Sequence, residues 1–265
     1  MIHTLTKQFP NINAKVLVKL ILYALNMRDI SQVILMQRKL TNKELQTLQS
    51  CVEECQAGKP LEYILQSCDF YGMEFFINEN VLIPRIETEA LVDEAINSIK
   101  KKSCKVLDLC TGSGSIAIAI AKNCPSAEVI GVDISHNALL VCNANIKKYK
   151  LENRVQILQM DILQKIPHGD FDIITANPPY IETEVIPTLE NSVRNFEPHI
   201  ALDGGIDGLV FYKQLKQYAL LVKKCIFLFE IGYNQKKSVC DIFAEFNPQI
   251  IQDFNGNDRI IKFTT

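Results

Sequence analysis

From Lys105 to the end of the chain, short apolar runs alternate with stretches long enough to hold helices, which leaves few architectures open. The runs are Val106–Leu109, Glu128–Asp133, Val155–Met160, Phe171–Ala176 and Cys225–Ile231, then Gln249–Phe254 and Arg259–Phe263. Alternation over the first five predicts a parallel, doubly wound α/β sheet. The last two are joined by Asn255-Gly256-Asn257-Asp258, a hairpin-type connection. The expected fold is therefore Rossmann-like, with seven strands and an antiparallel last strand.

A different pattern precedes it. Val16, Leu17, Leu20, Ile21, Ala24 and Leu25 recur at helical spacing. Thr41-Asn42-Lys43-Glu44 has capping-box form, Leu45, Leu48 and Val52 continue the buried face, and Gly58 before Pro60 ends that helix. Tyr63-Ile64-Leu65 and Met73–Ile77 flank Phe70-Tyr71-Gly72 and are read as a β-hairpin connector. A small helical domain with this connector, residues 1–75, and a catalytic domain, residues 76–265, are expected.

The chemistry is expected where the strands end. Asn177-Pro178-Pro179-Tyr180 follows the fourth run. Two prolines lack N–H groups and fix φ, so the carbonyls of Asn177 and Pro178 are held in set directions. A side-chain amide, rigid carbonyls and an aromatic ring suit the grip of a planar NH2 group by both hydrogens. A Pro-rich turn is the plain alternative. After the first run, Gly112 and Gly114 open a helix read over Ile116–Lys122. They let the backbone approach a ligand beside unpaired N–H groups, although neither a P-loop nor a full dinucleotide fingerprint is present. Asp133 ends the second run and can take both hydroxyls of a ribose, leaving Ser135 to cap the next helix. Asp161 and Ile162 end the third, where an acid can meet an adenine amino group and Ile162 can pack on the base; a solvated Asp161 is the alternative. Together these describe a nucleoside-bearing ligand.

Composition narrows the partners. The formal net charge is −2 and the pI about 6.1, unlike proteins that grip nucleic acid chiefly through phosphates. The nine cysteines include no C-x-x-C pair, and Cys51 and Cys55 have no answering pair, so no metal site is expected. Scattered thiols fit a reducing cytosol. The apolar stretch Val16–Leu25 is interrupted by Lys19, and neither a secretory signal nor a membrane span is read. His3, His136, His168 and His199 form no cluster in sequence and are taken as surface or core residues.

These motifs resemble class I S-adenosylmethionine-dependent methyltransferases, and most closely the release factor glutamine methyltransferases. The resemblance runs through Gly58-Lys59-Pro60, Phe70-Tyr71-Gly72, Val81–Arg85 followed by Glu87-Thr88-Glu89, Asp108–Gly114, Asp133, Asn177–Tyr180 and Glu197–Leu209. It implies methyl transfer from S-adenosylmethionine, leaving S-adenosylhomocysteine, to the glutamine amide of the Gly-Gly-Gln motif of release factors. It implies cofactor contacts from Cys110, Thr111, Gly112, Ser113, Gly114, Asp133, Ile162 and Asn177. Substrate contacts would come from Asn177, Pro178, Pro179 and Tyr180, with Asn177, Pro178 and Tyr180 catalytic, and the helical domain would help hold the release factor. A cytoplasmic monomer acting without direct nucleic-acid or membrane binding is expected. The chain departs from the commoner family pattern at Cys110, where Gly is usual, and at Ile86, where Pro is usual. If the backbone at Cys110 needs positive φ, a Cβ there costs energy. Arg85 reads either as a surface or ion-paired residue or as a clamp near the cofactor, and Glu197 either orients a loop or is solvated. The competing readings are an amino-methyltransferase for DNA or RNA bases, a non-catalytic nucleoside-binding module and a nicotinamide dehydrogenase.

Overall fold

The computed structural model describes residues 5, 7–35, 38–101 and 103–265. His3 lies outside the described residues. Two compact units are present, Met1–Ser67 with Glu190–Phe196, and Cys68–Leu189 with Glu197–Thr265.

The first unit contains helices α1 (Ala14–Ala24), α2 (Ile30–Leu35), α3 (Asn42–Gln56) and α4 (Leu61–Leu65). Leu17, Leu20 and Ile21 of α1 are buried with Val33, Leu48, Val52 and Ile64, so the apolar stripes read from spacing form one core. The capping box holds: the Glu44 N–H donates to Thr41 Oγ1 at 3.3 Å, and Glu44 Oε2 accepts the Thr41 N–H at 2.7 Å. Tyr63-Ile64-Leu65 is not a strand. Pro60, with φ −52°, leads directly into α4, whose left-handed cap Gln66 then turns the chain into the hairpin. The helix is only five residues long, too short for its periodicity to announce it.

In the second unit, strands β1 (Ser67–Phe70) and β2 (Met73–Phe76) make the hairpin, and a 3-10 turn, Ile86–Thr88, leads into α5 (Glu89–Ser98). Then come β3 (Cys104–Leu109), α6 (Ser115–Asn123), β4 (Ala127–Asp133), α7 (His136–Lys148), β5 (Val155–Gln159) and β6 (Ile173–Ala176). The short α8 (Asn191–Phe196) belongs to the first unit, and α9 (Val210–Ala219), β7 (Ile226–Glu230), α10 (Lys236–Ile242), β8 (Gln249–Gln252) and β9 (Asp258–Thr264) complete the second.

The seven-stranded sheet has the order β5-β4-β3-β6-β7-β9-β8. β3 to β7 pair in parallel, while β9 runs antiparallel to both β7 and β8. The seven strands and the antiparallel last strand match the sequence reading. Their order adds one point: β9 inserts beside β7 and leaves β8 at the edge. Phe227, Phe229, Phe243 and Phe263 interlock on this side, with Phe227 and Phe263 stacked at 4.9 Å. The order reverses between β3 and β6, and Leu109 pairs with both Val132 and Ala176. The loops after β3, β4 and β6 therefore leave the sheet level with one another, at the topological switch where such sheets bind ligands.

Candidate active site

The turn after β3 is set by buried hydrogen bonds. Asp108, fully buried, accepts the Thr111 hydroxyl at 2.6 Å and the Thr175 hydroxyl at 2.7 Å. Burial pushes its carboxyl up to about 6, against the pull of those two donors. The chain then reverses through Cys110 at φ +58° and Gly112 at φ +55° into α6. Cys110 thus occupies the left-handed region, where a side chain costs roughly 1–2 kcal/mol.

Asp133 meets this turn from the end of β4. Its Oδ2 accepts the Gly112 N–H and its Oδ1 the Ser135 N–H, both at 2.9 Å. Ser135, not Asp133, caps α7, with its hydroxyl accepting the Ala138 N–H at 3.1 Å. Each Asp133 oxygen keeps lone-pair capacity for a further donor. Burial raises its pKa, while three backbone donors, Ser135, Gly112 and Ile134, favour the ionised form.

These groups open on one cavity of about 430 Å³, within the size range of cofactor sites. Cys110, Thr111, Gly112, Ser113, Asp133, Ile162, Asn177 and Pro179 line it, as do Arg85 and Thr88. Gly114, Pro178 and Tyr180 are not among its lining residues. A Cβ on Gly114 would lie 2.6 Å from Cys142 Sγ, so this glycine serves the packing of α6 on α7. Asp161 lines the cavity, but its oxygens accept the Leu163 N–H at 2.9 Å and the Gln164 amide at 2.8 Å. It caps its own turn. Beside the loop, buried Asn145 exchanges hydrogen bonds with the Phe76 backbone in both directions and donates to the Ser113 carbonyl, at 2.8–2.9 Å.

The stretch Asn177–Tyr180 leaves β6 under firm support. The Tyr180 carbonyl accepts the Gln235 side-chain amide at 2.9 Å. Ile181 bridges in parallel to Asp203, with the Ile181 N–H donating to the Leu202 carbonyl at 3.0 Å. Gly208 has φ +67°, and a Cβ there would lie 2.5 Å from the Tyr180 carbonyl oxygen, so only glycine lets the segment approach so closely. Glu197, 4 % exposed, pairs with Arg85 at 2.5 Å and accepts the Ile83 N–H at 3.3 Å. Arg85 is thus ion-paired, and it also lies on the cavity wall. Glu197 is a buried loop anchor.

Some residues on or behind the cavity carried no role in the sequence reading. His199 and Phe211 line the wall, and Glu230, at the end of β7, lies behind it. The signal for Glu230 was a single charged residue within the apolar run Cys225–Ile231. His199 offered none.

Sequence comparison agrees with this geometry. The methyltransferase small domain family model matches residues 87–225. The chain is 36% identical over 237 residues to the release factor glutamine methyltransferase of Agrobacterium fabrum, covering 86% of this chain and 82% of that protein. It is 38% identical over 232 residues to the enzyme of the same name from Thermodesulfovibrio yellowstonii, covering 84% and 82%. Among solved structures, the hMettl16 catalytic domain superposes with a TM-score of 0.60 at 13% identity, covering 84% of this chain and 82% of that one, which bears on fold alone. A shared domain model, close relatives along most of the chain and a class I methyltransferase sheet lead to one conclusion: this chain belongs to the release factor glutamine methyltransferase family.

Proposed function

We propose that this chain methylates the side-chain amide nitrogen of the glutamine in the Gly-Gly-Gln motif of release factors. The observation that carries the reading is the Asn177–Tyr180 stretch after β6, whose Asn177 and Pro179 line the same cavity as the glycine turn and Asp133. S-adenosylmethionine, held by that turn and Asp133, supplies a methyl group already activated by its sulfonium. The donor set suits it: Asp133 for the ribose hydroxyls, Ile162 for the base, and the N-terminus of α6 nearby.

The protein's own work is positioning. A carboxamide nitrogen is a poor nucleophile because its lone pair is delocalised into the carbonyl. Asn177 Oδ1 accepts one substrate N–H and the Pro178 carbonyl the other, which biases the lone pair toward the methyl carbon. Placement of this kind is worth up to ~7–11 kcal/mol. With the cofactor bound, the nitrogen would gain its bond to the methyl carbon, the carbon–sulfur pair would remain on sulfur, and water would take the nitrogen's proton. Tyr180, which does not line the cavity, steadies the stretch through its hydroxyl on Glu230 at 3.3 Å.

In the same reading the helical unit helps hold the release factor. Ile34 and Leu35 are exposed on α2 and give it an apolar contact. The enzyme acts in the cytoplasm on protein rather than nucleic acid, consistent with its net charge of −2. A monomer suffices, since every group named comes from one chain. Among the described residues no helix is long and apolar enough to cross a membrane.

The test offers methyl-labelled cofactor with release factor, DNA and transfer RNA in separate reactions. Label in the release factor is expected. Label confined to nucleic acid overturns the substrate.

A further inference from the structure

The two ends of an asparagine amide are nearly the same size and differ in chemistry: one accepts, the other donates. Turned by half a rotation, Asn177 would present its own NH2 to the substrate NH2, and donor would face donor. Something must choose the productive sense. The Asn-Pro-Pro-Tyr stretch alone does not.

We propose that Thr88 and Glu230 are positioning residues that fix the Asn177 amide with its oxygen toward the substrate. This rests on the reading above. Asn177 Nδ2 donates to Thr88 Oγ1 at 3.3 Å. Thr88 has one hydroxyl proton and gives it to Glu230 Oε2 at 2.6 Å. The other carboxylate oxygen, Oε1, receives the Tyr180 hydroxyl at 3.3 Å. An ionised carboxylate can only accept. Thr88 must therefore donate to Glu230, and can only accept from Asn177. The NH2 end of Asn177 is held at Thr88, and the oxygen is left for the substrate.

Burial removes the alternatives. Thr88 is 3% exposed and Glu230 1%, so water does not reorganise the chain of bonds. The relay is anchored from both sides. Thr88 ends the 3-10 turn that follows Arg85, which is tied to Glu197. Glu230 ends β7, paired with Ile260, and its carbonyl accepts the Tyr212 hydroxyl at 2.7 Å. One carboxylate thereby steadies both ends of the Asn177–Tyr180 stretch.

Four variants test this, with turnover on release factor, S-adenosylmethionine affinity by calorimetry and thermal melting measured for each. Thr88→Val keeps the shape and loses the acceptor. It is expected to lower kcat on the order of tenfold with cofactor affinity unchanged. Thr88→Ser restores the hydroxyl and is expected to restore turnover. Glu230→Gln keeps volume but can offer its NH2 to Thr88, which frees the Thr88 proton for a flipped Asn177; it is expected to fall with Thr88→Val. Combined with Asn177→Ala in single-turnover reactions, Thr88→Val is expected to add no further loss, because it acts through Asn177. Wild-type turnover in a folded Thr88→Val, a serine variant as slow as the valine one, or a full additional loss in the double variant would overturn the inference. A wild type that leaves the release factor unlabelled overturns the substrate reading instead, so the two failures are distinct.

Discussion

Asp133 accepts the backbone N–H of Gly112 at 2.9 Å, so the acid at the end of β4 and the turn after β3 form one assembly. Removing the carboxylate loosens the turn as well as losing the ribose contacts proposed for it. Asp133→Ala is expected to weaken S-adenosylmethionine binding about 10- to 100-fold, the scale of one or two charge-assisted hydrogen bonds. Calorimetric titration of the purified protein measures it; unchanged affinity would remove Asp133 from the cofactor site.

Asn177→Ala separates chemistry from binding. Losing a preorganised acceptor at the reacting nitrogen is expected to lower kcat by roughly 100-fold or more. Cofactor affinity should change far less. Near-normal turnover in this variant would end the proposed role of Asn177.

Glu197 lies inside the protein while its partner Arg85 is about one-third exposed, with side-chain exposures of 1% and 34%. Glu197→Ala strands the Ile83 N–H and removes the Arg85 ion pair. A loss of about 1–3 kcal/mol is expected, read as a lower melting temperature. Glu197→Gln keeps an acceptor for Ile83 and should lose less. Equal melting of the two variants would mean that the N–H contact contributes nothing.

Ile34 and Leu35, 68% and 76% exposed on α2, give a direct test of the helical unit's role. Replacing both with serine should raise KM for the release factor severalfold and leave kcat unchanged, since neither is in the unit that holds the cavity. Steady-state kinetics with intact release factor decide it, and an unaltered KM places docking elsewhere.

Burial raises Glu230 to about 6, from an ordinary value of 4.5. Thr88 and Tyr180 donate to it, Arg259 attracts it and Glu87 repels it, while the Tyr212 hydroxyl bonds its carbonyl. A raised carboxyl holds its proton more tightly in the folded state. Its contribution to stability is thus full below about 4.5 and is lost as pH rises through about 6. The melting advantage of wild type over Glu230→Gln should shrink across that window and stay constant above it. Turnover should move oppositely, rising through about 6 as the ionised carboxylate commits Thr88 to donate. Melting curves and pH–rate profiles of the two proteins check both signs.

Much of the fold was readable because β3, β4 and β6 are buried strands whose apolar runs end abruptly in Gly, Asp and Asn-Pro. Each site motif abuts such an end, so locating the strands located the motifs. Relationships between distant residues could not be read. Thr88 and Glu230 are 142 residues apart, and Arg85 and Glu197 are 112 apart. No local spacing encodes either pairing. The insertion of β9 beside β7 was hidden too, since a hairpin signal does not say which arm lies at the edge. At Cys110 the sequence posed a question about φ that only the backbone answers.

Asn145 has a consequence for motion. Because its one side chain bonds Phe76 in both directions and the Ser113 carbonyl, β2 cannot peel away without releasing the glycine turn after β3. The Phe76 amide should therefore exchange its hydrogen in step with amides of the glycine turn, as one cooperative opening unit. Cofactor that steadies the turn would slow exchange at a strand it never touches.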